Sequence, residues 1–166
     1  MSVDLAAMQR GLADVLRGGD PPAGDAYVSA VAESHGITVV REILRSWREV
    51  MIRRACPMTV VLLQQRDLFQ DALSVFLRHG SPPSIDEIAL VFLDLAAGSA
   101  DPLLAAVAQF ERAMIRTCHG DAADHIVVWP CDPGAAIERL LAGGTVDDVP
   151  GERVVTVVSG GSFRVV

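Results

Sequence analysis

The sequence contains no lysine, so all 14 of its basic residues are arginine. We attribute this bias to the coding sequence and base no chemistry on it. Because Asp and Glu number 21, the net charge is −7 at pH 7. Nonspecific binding to nucleic acids depends on clustered positive charge. The acidic balance therefore argues against a nucleic-acid partner, although it is compatible with a local basic surface.

Cysteine is also scarce. The chain has three cysteines, Cys56, Cys118 and Cys131. Their odd number, their wide spacing and the lack of a CxxC motif argue against a disulfide framework and a structural zinc site. Cys118 and Cys131, with His119 and His125, could supply four metal ligands, but their spacing matches no known ligand pattern. A cysteine nucleophile is also poorly supported, because the sequence has neither an elbow motif nor an oxyanion-type glycine loop. We expect core cysteines and loop histidines.

Long apolar runs are absent as well. No stretch approaches the roughly 18–20 residues that a membrane span requires. Residues 1–10 contain no basic segment followed by an apolar one, so no secretory signal is visible. With 51% hydrophobic and 21% charged residues, the 166-residue chain can form a packed core. We expect a cytoplasmic protein that contacts no membrane.

Helical signals dominate the first 120 residues. Ser84 begins a capping-box pattern, and Asp101 followed by Pro102 marks another helix start. Residues 58–63 favour a short helix, although their β-branched side chains leave a strand open. We predict an N-terminal α-helical domain over residues 1–120.

The pattern changes past Gly120. A short apolar strand is predicted at residues 125–129, followed by a helix that Asp132-Pro133 opens. Two β-forming segments joined at Gly160-Gly161 follow and predict a hairpin. We therefore predict the α+β class, with a small winged-helix-like αβ domain over residues 121–166.

The third predicted helix combines an apolar stripe with a row of arginines. The spacing i, i+3, i+4, i+7 predicts an apolar face. That face consists of Val40, Ile43, Leu44, Trp47, Val50 and Met51. Arg41, Arg45 and Arg48 lie on the polar side, which Arg53 and Arg54 extend. A solvated surface, a docking surface for an acidic protein and a phosphate-binding surface all remain open.

Glu111 stands on an otherwise apolar stripe with Val107, Met114 and Ile115. A buried carboxylate needs a partner or an elevated pKa. We expect a structural salt bridge to one of the arginines, with an active-site role as the alternative.

The C-terminal hairpin leaves a sheet edge unless another element covers it. An added peptide strand would pair with such an edge through backbone hydrogen bonds, and side-chain pockets would give specificity. A covered or solvated edge is the alternative.

Several stretches resemble one bacterial family of helical proteins that carries a DNA-binding label. They are Leu5–Arg10 with Leu16-Arg17, Ala55–Leu63 with Phe69 and Phe76-Leu77, Pro82–Ser84, Leu104–Glu111, and Val128-Trp129 with Asp132-Pro133. The family includes the partner subunits of multinuclear non-haem iron-dependent oxidative enzymes, such as the methanobactin partner subunit. This chain departs from the pattern at Cys56, where an aromatic residue is usual, and at Gln64-Gln65, where glycine is expected.

The resemblance implies a non-catalytic accessory subunit in the biosynthesis of ribosomally made peptide natural products. It implies a heterodimer with an iron-dependent barrel enzyme, no cofactor in this chain and iron in the partner subunit. The C-terminal part resembles a peptide-recognition element for the leader of a precursor peptide, which the enzyme modifies, commonly at cysteine. A DNA-binding transcriptional regulator is the alternative, and no residue constellation supports a stand-alone enzyme.

The resemblance also suggests where the partners bind. Peptide binding is expected at Val154, Val155, Thr156, Val157, Val158, Phe163, Arg164 and Val165, with Ile137 and Leu141 in the groove wall. Docking on the enzyme is expected at Arg41, Arg45 and Arg48.

Overall fold

The computed structural model describes residues 4–78, 84–147, 149 and 154–165. Within these residues, seven helices precede the first strand and an eighth separates the first two strands. The helices are α1 (Leu5–Leu16), α2 (Ala26–Ala32), α3 (His35–Ala55), α4 (Pro57–Gln65), α5 (Phe69–Arg78), α6 (Ile85–Ala97), α7 (Pro102–Cys118) and α8 (Pro133–Leu141). The strands are β1 (His125–Trp129), β2 (Val154–Ser159) and β3 (Ser162–Val165). This mostly helical chain with a small sheet confirms the α+β class.

Side-chain caps explain where several helices begin. The predicted starts are confirmed at Ser84, which forms a capping box with Glu87, and at Asp101, which accepts from two backbone N–H groups of α7. Residues 58–63 are helical, within α4, so the strand alternative is wrong. Pro57 occupies the first turn of α4, where its missing N–H costs no helical hydrogen bond.

The three strands form one antiparallel sheet in the order β1-β2-β3. His125 lies opposite Val158 in the β1–β2 pair. The β2–β3 hairpin turns at Gly160 and Gly161, whose φ angles are 57° and 74°. Positive φ at both turn positions matches the twist of the flanking strands and is accessible to glycine. The hairpin predicted from the paired glycines is confirmed.

One large hydrophobic cluster runs from α3 into the sheet. Buried side chains of the helices, such as Ile52, Leu62 and Phe92, belong to the same cluster as Trp129 and Val158 of the strands. α7 contacts α4 and α6 as well as β1 and β2, and so connects the helices to the sheet. The helix-to-strand change does lie near residue 120, but the apolar core continues across it.

A second, smaller cluster holds the N-terminal helices together. Val15, Val28 and Ile37 are buried at its centre and come from α1, α2 and the start of α3. The guanidinium of Arg41 donates to the backbone carbonyl of Val15 in the last turn of α1. This bond connects α1 to α3 at a place where few apolar side chains connect the two helices.

Polar contacts fix the C-terminal segment to the end of α4. The Gln65 side-chain amide donates to the Gly144 carbonyl at 2.7 Å. The neighbouring Arg66 pairs with Asp101 at 3.2 Å and also with Asp147. Arg66 therefore joins the end of α4, the start of α7 and the segment after α8.

Candidate functional site

The sheet offers two strand edges. β2 lies in the centre and pairs with β1 along its length and with β3 from Thr156 to Ser159. Among the described residues, neither β1 nor β3 makes a backbone hydrogen bond beyond its pairing with β2. An extended peptide can therefore join this sheet at the outer edge of β1 or of β3.

The inner face of the sheet is packed against α7. The indole Nε1 of Trp129 donates to the hydroxyl of Thr156 at 3.0 Å, so both polar groups are satisfied although both residues are buried. Phe110 of α7 contacts Trp129 and Phe163 edge-to-face, with ring centroids 5.6 and 5.1 Å apart. This face belongs to the core, so a ligand must use an edge or the outer face.

The predicted peptide-binding residues of the hairpin divide into two groups. Thr156 and Val158 are buried, and Val154 is half-buried. Phe163, Arg164 and Val165 on β3 are exposed at the sheet edge. The side chains of Val155 and Val157 lie outside the described residues, although their backbones pair with Val128 and Ile126. Of the described members, only the β3 residues offer accessible side chains.

The helix that carries the predicted groove wall packs mainly away from these strands. α8 packs mainly against α4, whereas α7 is the helix that underlies the sheet. Ile137 is half-buried against the main core and Leu141 is 64% exposed. α8 follows β1 in the chain, and the polar contacts of Gln65 and Arg66 keep the segment after it beside α4.

An open cleft instead adjoins the edge strand β1. It has a volume of about 620 Å³ and separates the end of β1 from the first half of α7. It is lined by Pro102, Ala105, Ala106, Gln109, Val128, Trp129 and Pro130. The lining is mostly apolar, and Gln109 contributes a polar group. A free strand edge beside a shallow apolar cleft is the geometry required for adding a peptide strand.

Sequence reasoning missed this cleft, although β1 contains a signal for it. Val127 and Trp129 point into the core, whereas Ile126 and Val128 between them are 67% and 37% exposed. A strand with one solvated face usually alternates apolar and polar residues. The continuous apolar run of β1 indicates a second apolar surface, but it does not identify α7 as the opposite wall.

Arg41, Arg45 and Arg48 of α3 are half-buried beside neighbouring helices. Arg41 donates to the Val15 carbonyl, and Arg45 donates to the Gln70 side-chain oxygen at 2.9 Å. Arg48 is half-buried, and burial together with the neighbouring Arg17 guanidinium lowers its pKa from the ordinary value. This side of α3 faces α1 and α5, so its arginines have neighbours within the fold, and their role in docking on the enzyme stays a prediction.

Four of the six residues of the predicted apolar face of α3 are exposed, whereas Leu44 and Met51 are half-buried. Val40, Ile43, Trp47 and Val50 are 42%, 62%, 44% and 44% exposed, and Val39 extends the patch. We call these five residues the α3 stripe. An apolar surface of this kind on one helix is typical of a protein-binding site. None of the helices in the described ranges is long and apolar enough to span a membrane.

Glu111 is buried but forms a different contact from the one expected. Its two carboxylate oxygens accept the backbone N–H groups of Met58 and Thr59, both at 2.9 Å, at the start of α4. Burial raises the pKa of Glu111 to about 7, and the hydrogen bonds from Thr59 and Met58 oppose that shift. The expected salt bridge to an arginine is wrong, because α4 presents unpaired N–H groups at this point.

The cysteines and histidines do not converge. Burial raises the pKa of the Cys56 and Cys131 thiols, which makes them poorer nucleophiles. Cys118 is exposed. His119 lies 3.3 Å from Asp86, and His125 lies 3.2 Å from Asp121. Across the part of the chain that the structure describes, no three metal-ligating side chains form a cluster.

No protein-family model, curated protein or solved structure matches this chain. The resemblance drawn from the sequence motifs therefore stays a prediction. Any assignment of function must be argued from the geometry of the sheet edge, the adjoining cleft and the α3 surface.

Proposed function

We propose that this chain is a non-catalytic accessory protein that binds a precursor peptide and docks on an iron-dependent enzyme that oxidatively modifies it. The chain would supply no catalytic group and no cofactor, and the iron would belong to the partner. Its contribution would be positional, because a captured leader raises the effective concentration of the core peptide at the active site. The winged-helix-like, peptide-recognition-like character of residues 121–166 is part of this proposal.

The observation that carries the proposal is the open edge of β1 beside the cleft. Backbone groups at the strand edge would give affinity for any extended segment, and the cleft would select the side chains that point toward α7. We therefore place the peptide along β1, with Ala105 and Gln109 beneath it. The exposed edge of β3, with Phe163 and Val165, is the second place where the leader could pair.

The α3 stripe is the surface that we assign to the enzyme. Exposed Trp47 near the middle of an apolar patch is the type of residue that dominates binding energy at protein interfaces. Arg41 and Arg45 already have partners within the fold, so they contribute less to docking than the row of arginines alone suggests. This assignment retains α3 as the docking helix but moves the contact to its apolar side.

Co-expression with a candidate barrel enzyme tests the docking part. The chain should co-elute with the enzyme in a one-to-one complex, with iron following the enzyme. Replacing Trp47 with Ser should weaken the complex by roughly 30-fold, which corresponds to a hot spot of about 2 kcal/mol. Tyr27→Ser is the matched control, because Tyr27 is 60% exposed but lies outside the stripe. If both variants bind the enzyme with equal affinity, the α3 stripe is not the docking surface.

Peptide binding is tested separately with a filled cleft. Ala105→Trp places a large side chain in the cleft, and Ala30→Trp adds the same group at an exposed site on α2. A short cysteine-containing peptide encoded beside such an enzyme should bind the wild type and Ala30→Trp equally. Ala105→Trp should reduce its affinity at least tenfold. If both variants bind equally, the peptide does not occupy this cleft.

Duplex DNA distinguishes the regulator alternative. A regulator would bind DNA with an affinity that falls steeply as salt increases. If the isolated chain retards duplex DNA at moderate salt and forms no complex with the enzyme, the regulator replaces the accessory subunit.

A further inference from the structure

A small cleft between α1 and α3 concentrates positive charge in an acidic protein. It has a volume of about 160 Å³ and lies at the C-terminal end of α1. Its lining consists of Leu16, Arg17, Gly18, Arg41, Glu42, Arg45, Arg48 and Leu77. Four guanidinium groups and one carboxylate line it, and Asp14 pairs with Arg17, so the local formal charge is +2 in a chain that carries −7 overall.

Contacts inside the protein hold three of these arginines in place. Arg41 donates to a carbonyl of α1, Arg45 donates to Gln70 at 2.9 Å, and Arg17 pairs with Asp14 at 3.0 Å. A guanidinium has five N–H donors, so each of the three retains donors that these contacts do not use. The carbonyl end of α1 would repel an anion, and the bond from Arg41 offsets part of that charge.

Arg48 is the exception in this group. It is half-buried, and within the described residues no acceptor or carboxylate pairs with it. Glu42 lines the same cleft but forms no ion pair with any of its arginines in the described part of the chain. Arg17 repels Arg48, and this repulsion adds to burial in lowering the pKa of Arg48. Burial and a neighbouring like charge both cost a cation free energy, and a bound anion would offset that cost.

We propose that this cleft binds a phosphate group between Arg17, Arg45 and Arg48. Planar guanidinium forks match the oxygens of phosphate in pairs, and arginine is the usual residue where that geometry matters. A local charge of +2 matches a phosphate dianion better than a single carboxylate. The described lining contains no aromatic side chain on which a nucleobase could stack, so the recognition that we propose is confined to the phosphate.

This site is independent of the peptide and enzyme surfaces proposed above. It lies on the arginine side of α3, whereas the α3 stripe lies on the apolar side. Its ligand is free phosphate or a phosphomonoester, which share the same recognition chemistry.

Phosphate binding to the full chain is measured by calorimetry and thermal unfolding, with chloride at matched ionic strength as the reference. Inorganic phosphate near 100 times its Kd should raise the Tm of the wild type by about 5–10 °C over chloride. Glycerol phosphate is the second probe. If glycerol phosphate binds more tightly than inorganic phosphate, the natural ligand is a phosphomonoester. If inorganic phosphate binds more tightly, the natural ligand is the free anion.

Variants on the same helix provide the control. Arg48→Gln should weaken phosphate binding at least tenfold, whereas Arg54→Gln, at an exposed position outside the cleft, should leave it unchanged. In chloride, Arg48→Gln should not lower the Tm, because it removes a repulsion. The proposal fails if neither probe stabilises the wild type over chloride, or if phosphate stabilises Arg48→Gln as much as the wild type.

Discussion

Glu111 shows how one side chain can fix a helix to its neighbour. Cys56 precedes α4 and makes no side-chain cap, and Pro57 has no N–H to donate. The first free donors of α4 are therefore those of Met58 and Thr59, and Glu111 of α7 accepts both. The sequence identifies Glu111 as buried, but it cannot identify the partner, because nothing local brings α4 to α7.

Truncating this side chain would leave two buried donors unpaired. Glu111→Ala should lower the free energy of unfolding by about 2–6 kcal/mol, since each of the two buried unpaired donors costs about 1–3 kcal/mol. Glu111→Gln keeps one carbonyl oxygen and should cost less. Denaturant unfolding measures the free energy of unfolding of both variants. A Gln variant as unstable as the Ala variant would contradict the expected difference.

The elevated pKa of Glu111 predicts a pH dependence with a definite sign. Burial raises the pKa from its ordinary value near 4.5 to about 7, so the folded state holds the proton more tightly than the unfolded state. The contribution to stability is complete below about 4.5 and is lost as the pH rises through about 7. The stability advantage of the wild type over Glu111→Gln should therefore be larger at pH 5 than at pH 8.

Denaturant unfolding at the two pH values measures that difference, and the Gln variant cancels the contribution of all other groups. A larger advantage at pH 8 would mean that the N–H groups of α4 hold the carboxylate ionised, so that the hydrogen bonds outweigh burial.

At the scale of elements, α3 departs most from its sequence pattern. The helix itself is predicted correctly, but its apolar stripe faces solvent and its arginines face α1 and α5. Periodicity measures how apolar residues are arranged and does not measure what the helix packs against. The buried side still contains Ile37 and Ile52, so α3 has apolar residues on two sides. A pattern with two apolar sides does not determine which side is buried.

A pair of identical substitutions tests this orientation of α3. Ile43→Ala, at a residue 62% exposed, should change the free energy of unfolding by no more than about 0.5 kcal/mol. Ile52→Ala, at a fully buried residue, should cost about 2–5 kcal/mol. Both variants lose the same atoms from the same helix, so helix propensity cancels. Equal costs in denaturant unfolding would show that the α3 stripe is covered within the chain.

The sheet is better predicted from the sequence than the cleft where we propose that the peptide binds. Paired glycines and β-branched residues predicted the hairpin, because turn and strand signals are local. The cleft beside β1 depends on α7, whose residue Ala105 lies some twenty positions before the strand. Small residues such as Ala105 and Ala106 on a helix carry no local sign that they line a surface. The site could therefore not be identified from spacing alone.

At the scale of the whole molecule, the apolar contacts form two clusters of unequal size. The larger runs from Ile52 through α7 to Val158, whereas the smaller has three buried residues, Val15, Val28 and Ile37, at its centre. Local opening is easiest where few apolar contacts are lost. α1 and α2 should therefore open at a lower free energy than α6 and α7.

We expect Arg41 to couple the small N-terminal cluster to the larger hydrophobic cluster. Its guanidinium bonds to the Val15 carbonyl and ties α1 to α3, so Arg41→Met removes a polar link but retains most of the apolar stem. Backbone hydrogen exchange in residues 5–16 should accelerate by roughly tenfold, as expected for the loss of about 1.4 kcal/mol from a charged hydrogen bond. Exchange in α7 should not change.

Arg10→Met is the matched control, because Arg10 is exposed on α1 and forms no hydrogen bond or ion pair with α3 among the described residues. It should leave the exchange rates of α1 unchanged. If Arg41→Met accelerates exchange equally in α1 and α7, the chain opens as one unit and the two clusters are energetically one. If only α1 responds, the N-terminal helices can loosen while the sheet, its cleft and α7 stay intact. Ligand binding at the sheet edge would then be separable from motion at the arginine cleft.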